Sequence, residues 1–132
     1  MIIQVSQEQG RVPVTVFHIE GEIAAESAES LQEQAEEAFG AGTRHLLLDL
    51  ADVPYVSSAG LRVIHHILMM LRSDAPQREE KEMRKGIAAG TYKSSHLKLL
   101  NPSGNVLRVL TQSGYDMFLE IYTKRKQAIA SF

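Results

Sequence analysis

The sequence predicts an α/β fold: one domain with a mixed, mostly parallel sheet, an N-terminal β-hairpin and helices packed on the sheet. Three observations carry this. Strand-like segments alternate with helical ones, the order that produces parallel strands joined by right-handed crossovers. "MIIQVSQ" and "RVPVTVFHI" are separated only by Gln9-Gly10-Arg11, a turn signal, so they read as two strands of a hairpin. "RHLLLDLADV" is a short apolar run between turn signals, the pattern of a strand buried on both faces.

Each element has its own signal. Pro13 cannot donate to a ladder and belongs at a strand start or an edge. Gly21 ends the hairpin. "AESAESLQEQAEEAFGAG" is a helix, with Ala28, Leu31, Ala35 and Ala38 in one stripe and Gly40 and Gly42 as its stop. From Ala59 to about Arg72 the period is again helical, and Leu61, Ile64, Leu68 and Leu71 form the stripe expected to face the core. "HLKLLNP" is a strand ended by Pro102. "SGNVLRVLTQSG" is a short helix with Ser103 as N-cap and Gly114 at C′. "DMFLEIY" is expected as the closing strand and "TKRKQAIASF" as a polar, weakly helical tail. The predicted order is β-β-α-β-α-β-α-β.

At 132 residues the chain suits one domain spanning 1–132. Residues 74–95 are an insertion between the second helix and the fourth strand, where a few residues would suffice. It is polar, and a Glu80–Arg84 pair could support one short helix there. It reads either as a surface insertion or as a contact to a partner or a second subunit.

Bulk properties narrow the function. Net charge is −2, so no global field favours nucleic acid or an anionic membrane. No cysteine is present, which removes disulfides, thiol catalysis and thiolate metal sites and fits a reducing, cytoplasmic setting. The opening "MIIQVSQEQG" lacks the pattern of a secretory signal, and no apolar run approaches the roughly 18 residues of a membrane span. His65 and His66 are adjacent, about 100° apart on a helix, and the other histidines are scattered, so no metal and no cofactor are expected. Lys124, Arg125 and Lys126 are too short a basic run to imply nucleic acid.

The chemistry concentrates at Ser57 and Ser58, where a buried strand gives way to a helix. Four readings compete. One is capping, a hydroxyl accepting from a free amide of the first turn, worth about 1 kcal/mol. A second is a nucleophile elbow, but Val56 stands where that pattern wants glycine, and His65 and His66 lie too far along the helix to serve Ser58 as a base. A third is anion binding at the helix N-terminus, without the glycine-rich cradle and lysine of a P-loop. The fourth is covalent modification. Ala59 and Gly60 leave a serine there open to another protein's active site, and a phosphoryl group brings about −1.5 to −2 charges. The helix terminus tolerates that charge, whereas a docked partner does not. A loss of about 3 kcal/mol weakens binding roughly 150-fold, enough for a switch. Arg62, His65 and Met69 lie on one helix face above Ser58 and, with Tyr55, form a candidate partner surface.

"RHLLLDLADVPYVSSAGLRVI" resembles the central segment of STAS domains, specifically of the bacterial anti-sigma-factor antagonists. "FHIEGEI" is similar to the family's second strand, and "VLRVLTQSGYDMFLEIY" to its last helix and strand. The resemblance covers nearly all of the chain outside 74–95. It implies a non-enzymatic, cytoplasmic module for transcription regulation that binds an anti-sigma factor, a GHKL-type serine kinase, when unphosphorylated. Phosphorylation on Ser58 then releases it, and a serine phosphatase resets it. Gly60 matches the motif glycine. Ser57 stands where the family has aspartate and is the second choice of acceptor, Ala59 replaces the second motif serine, and Ala24 stands where many members have aspartate. The alternative is a non-switching STAS scaffold in a stress-signalling, transporter or lipid-trafficking complex. Self-association into a homodimer is compatible with either.

Overall fold

The structure is a computed structural model that describes residues 1–73, 81–82, 84–86 and 93–132. Its strands are β1 (Ile2–Gln9), β2 (Pro13–Glu20), β3 (Leu46–Asp52), β4 (Leu97–Leu100) and β5 (Ile121–Tyr122). The helices used below are α1 (Ala25–Gly40), α2 (Ser58–Leu71), α3 (Gly104–Gln112) and α4 (Arg125–Ser131). Most of the 74–95 insertion lies outside the described residues, and so does Glu80 of the expected Glu80–Arg84 pair. Residues 74–95 follow α2 and precede β4 in the chain.

The sheet order is β1-β2-β3-β4-β5, with β1 and β2 antiparallel and the other pairs parallel. Right-handed crossovers that all advance in one direction place their helices on one face of the sheet. Accordingly, α1, α2 and α3 share one core: Leu31 and Ala35, Ile64 and Ile67, and Val106 and Leu110 pack with Phe17, Ile19, Leu46, Leu48 and Leu99. Alternate strand residues point the other way. Val14, Val16, Leu47 and Leu100 form a second cluster closed by Ala128 of α4.

That second cover explains why β3 carries leucines on both faces: Leu46, Leu47, Leu48 and Leu50 are all buried. It also adds to the expectation for the tail. The expected weakly helical segment forms as α4 and covers the second face through Ala128, and a Cβ on Gly10 in the hairpin turn would lie 2.7 Å from the Ile129 carbonyl. Only a glycine turn lets the hairpin and α4 meet that closely.

Two expectations change. The strand expected from "DMFLEIY" shrinks to Ile121–Tyr122, because Tyr115–Met117 forms a 3-10 turn first. Gly114, the expected C′ residue, has φ +81° and turns the chain back after α3, which leaves only the end of the segment in line with β4. On α2, Leu61 is only partly buried, and the core stripe is carried instead by Val63, Ile64, Ile67, Leu68 and Leu71.

Under α4 sits a buried cation. Lys98 is 4% exposed, and its Nζ lies 2.9 Å from Glu120 Oε2 and donates to the Ser131 carbonyl and hydroxyl. Tyr122 donates to the same Glu120 oxygen at 2.7 Å. Partial burial works against the charged form of Glu120, but the hydrogen bonds from Tyr122 and Lys98 outweigh it and hold the carboxyl below its ordinary value. A depressed carboxyl contributes stability that is fully present above its unfolded value and is lost as pH falls through the folded one. Glu120→Gln therefore destabilises by about 1 kcal/mol at pH 7, and the difference from wild type closes as the pH falls below the ordinary carboxylate range. Urea denaturation of both proteins across that range measures it. A gap of constant size would show that the carboxylate charge is not what matters.

Candidate functional site: the β3–α2 junction

β3 leaves the sheet at Asp52, and Val53 closes a tight turn onto Leu50. The next residues are pinned to the segment after β2. Ile23 N–H donates to the Tyr55 carbonyl and Ser57 N–H donates to the Ile23 carbonyl, with a parallel bridge between Ile23 and Val56. Val53 and Val56 are buried, whereas Tyr55 between them is 48% exposed. Ser103 fixes the turn from the other side. Its hydroxyl donates to the Val53 carbonyl at 3.0 Å while accepting from Val106 N–H, so the predicted cap of α3 also anchors this junction.

The two serines divide the work. Ser57 is the N-cap, in extended geometry, and its Oγ accepts from Gly60 N–H at 3.2 Å. Ser58 is the first helical residue, lies outside that capping bond and is exposed. The first turn of α2 contains no acidic side chain, so no carboxylate already occupies the positive end of the helix. Ala59 is half-buried. Gly60 is buried because α2 begins against the Ile23 segment: a Cβ there would lie 2.4 Å from the Ile23 carbonyl oxygen and 2.8 Å from Val56 Cγ1.

Above Ser58 the sequence-predicted surface residues Arg62, His65 and Met69 are all exposed, as is Tyr55. The structure adds a neighbour that the sequence reading missed. The Tyr115 ring meets His65 edge-on at 6.2 Å, which brings the 3-10 turn alongside α2. Met117 in that turn is 55% exposed and Phe118 follows it at the surface. The signal was present as an apolar triplet in "DMFLEIY", but reading it as a strand hid the exposure. His65 lies two helical turns from Ser58, about 10 Å along the axis, so the pair cannot work as nucleophile and base.

A second polar cluster lies at the ends of β2 and β3. His18 Nδ1 is 2.8 Å from Asp49 Oδ2, and Nε2 is 2.9 Å from Asp52 Oδ2. The hydrogen bond to Asp49, opposed by burial and reinforced by Asp49's charge and by Asp52, holds the imidazole above its ordinary value.

No curated protein matches the chain. Among solved structures, similar folds include the anti-sigma factor antagonist SpoIIAA in its unphosphorylated form, at 17% identity with a TM-score of 0.70, covering 97% of this chain and 93% of that one. An anti-sigma factor antagonist from Mycobacterium paratuberculosis aligns at 16% identity with a TM-score of 0.68, covering 98% and 93%. The Bacillus cell fate determinant SpoIIAA in its phosphorylated form aligns at 16% identity with a TM-score of 0.62, covering 97% and 96%. No described helix is long and apolar enough to cross a membrane. The STAS domain model matches residues 5–75, from β1 through α2 and so across the whole serine junction, and the chain belongs to the STAS domain family.

Proposed function

We propose that this domain is an anti-sigma-factor antagonist: a protein-binding module without catalysis of its own, switched by phosphorylation of Ser58. The observation that carries this reading is the division of labour at the junction. Because Ser57 supplies the cap, the Ser58 hydroxyl stands exposed at the positive end of α2 and can be modified without dismantling the helix start. The neighbouring fold that exists in unphosphorylated and phosphorylated forms supports the same reading.

In this scheme the unphosphorylated domain docks on an anti-sigma factor, a GHKL-type serine kinase, through Tyr55, Arg62, His65 and Met69 with the Ser57–Gly60 loop at the centre. The kinase moves the γ-phosphoryl of ATP to Ser58 Oγ, and the added charge breaks the contact. A serine phosphatase restores the hydroxyl, and the cycle runs in the cytoplasm. Ser57 replaces the acidic residue of the family motif, so the kinase reads this loop without a carboxylate beside the acceptor.

Incubation with the cognate kinase and ATP is expected to add one phosphate to wild type and none to Ser58→Ala, read by intact mass and peptide mapping. Phosphorylation of Ser58→Ala at the wild-type rate would sink the assignment and pass the role to Ser57.

A further inference from the structure

We infer that His18, Glu20 and Asp52 form a binding site for one divalent transition-metal ion, with Asp49 orienting the imidazole. The site is independent of Ser58 and of the switch proposed above.

The backbone assembles the ligands. His18 pairs with Asp49 in the β2–β3 register and Glu20 pairs with Asp52, so two residues on β2 span three on β3. Strict alternation would send Asp49 and Asp52 to opposite faces. The extra residue in β3 re-aims Asp52 onto the face of His18 and Glu20, as a β-bulge does where a side chain must be redirected. One ligand atom from each of His18, Glu20 and Asp52 then lies within 4.8 Å of the others.

The spacing suits a small cation. With metal–ligand bonds of about 2.1 Å, neighbouring ligand atoms stand about 3.0 Å apart in octahedral and about 3.4 Å in tetrahedral geometry. His18 Nε2 is 2.9 Å from Asp52 Oδ2 and 3.7 Å from Glu20 Oε1, which brackets both. Asp49 supplies the outer partner that ligating histidines need. Its Oδ2 faces His18 Nδ1 at 2.8 Å, and its Oδ1 accepts from Ala51 N–H, so the carboxylate is itself held. With the ion bound, Nδ1 keeps its proton toward Asp49, and Nε2, facing Glu20 and Asp52, gives up its proton and serves as the ligand atom.

Charge points the same way. Among the described residues neither Glu20 nor Asp52 has a lysine or arginine partner, so three carboxylates surround one imidazole. An imidazole with two carboxylates favours zinc-like ions over magnesium, which prefers an all-oxygen, largely hydrated shell. Three protein ligands leave coordination positions open to water or to a group from outside.

Zinc chloride titrated by calorimetry into metal-stripped, untagged full chain is expected to show one saturable site per chain and to raise the melting temperature. Magnesium chloride should do neither. Glu20→Gln and Asp52→Asn change exposed side chains, which keeps the fold, and each should weaken zinc binding at least about tenfold. Asp49→Asn should weaken it about tenfold without touching a ligand. Absence of saturable zinc binding would overturn the inference. Affinity within about threefold of wild type in both Glu20→Gln and Asp52→Asn would also overturn it, moving the ion to another place such as the stacked His45–His96 pair.

Discussion

Gly60→Ala lowers the melting temperature by about 10 °C, a loss of about 2–3 kcal/mol. A larger residue is not excluded by backbone conformation here but by contact. The added methyl would meet the Ile23 carbonyl oxygen at 2.4 Å, a backbone atom that cannot swing aside, and Val56 Cγ1 at 2.8 Å. Relief requires α2 to back away from the Ile23 segment, which breaks the Ser57–Ile23 and Ile23–Tyr55 hydrogen bonds that shape the loop. The change therefore strikes partner binding as well as folding, because Tyr55 and Ser58 ride on the same backbone. Differential scanning calorimetry measures the first effect. A shift under about 2 °C would mean that the junction is slack and that the glycine serves something else.

Ser58→Glu is expected to weaken binding to the kinase partner about 100-fold while the melting temperature stays within about 2 °C of wild type. The carboxylate sits at the positive end of α2, where negative charge is favourable, so the isolated domain tolerates it. In the proposed complex the same charge would be desolvated and repelled. Ser57→Ala should behave in the opposite way. It removes the hydroxyl that accepts from Gly60 N–H, costs about 1 kcal/mol of stability and leaves the exposed face in place. Calorimetric titration of the three proteins against the kinase separates the roles. Equal affinity for wild type and Ser58→Glu would leave the domain a scaffold that phosphate does not switch.

Most of the architecture was legible because its signals were local. Ser103 before "GNVLRVL", Gly114 after it and Pro13 at the head of β2 each sit where their own chemistry requires. The serine pair was legible as a place, and the resemblance singled out Ser58. That Ser57 takes the cap and leaves Ser58 exposed and outside the capping bond is told only by the Gly60 N–H, which points at Ser57 Oγ. What was missed came from tertiary context. "DMFLEIY" has strand composition, yet the turn begun at Gly114 uses up its first residues. "TKRKQAIASF" looks polar because α4 needs only a narrow contact, centred on Ala128, to cover four aliphatic side chains. The His18 group was invisible because its members come from two strands about thirty residues apart, and the bulge that unites them has no sequence marker. Its one hint was Asp49, a carboxylate within an otherwise aliphatic buried run.

The order of strands across the sheet repeats their order along the chain. During synthesis each new strand therefore finds its partner already out of the ribosome and adds to an open edge, never wedging between two neighbours. Growth of this kind needs no earlier pairing to be undone. The unpaired backbone edge at each stage is the one about to be used, which shortens the time it can capture a neighbouring nascent chain.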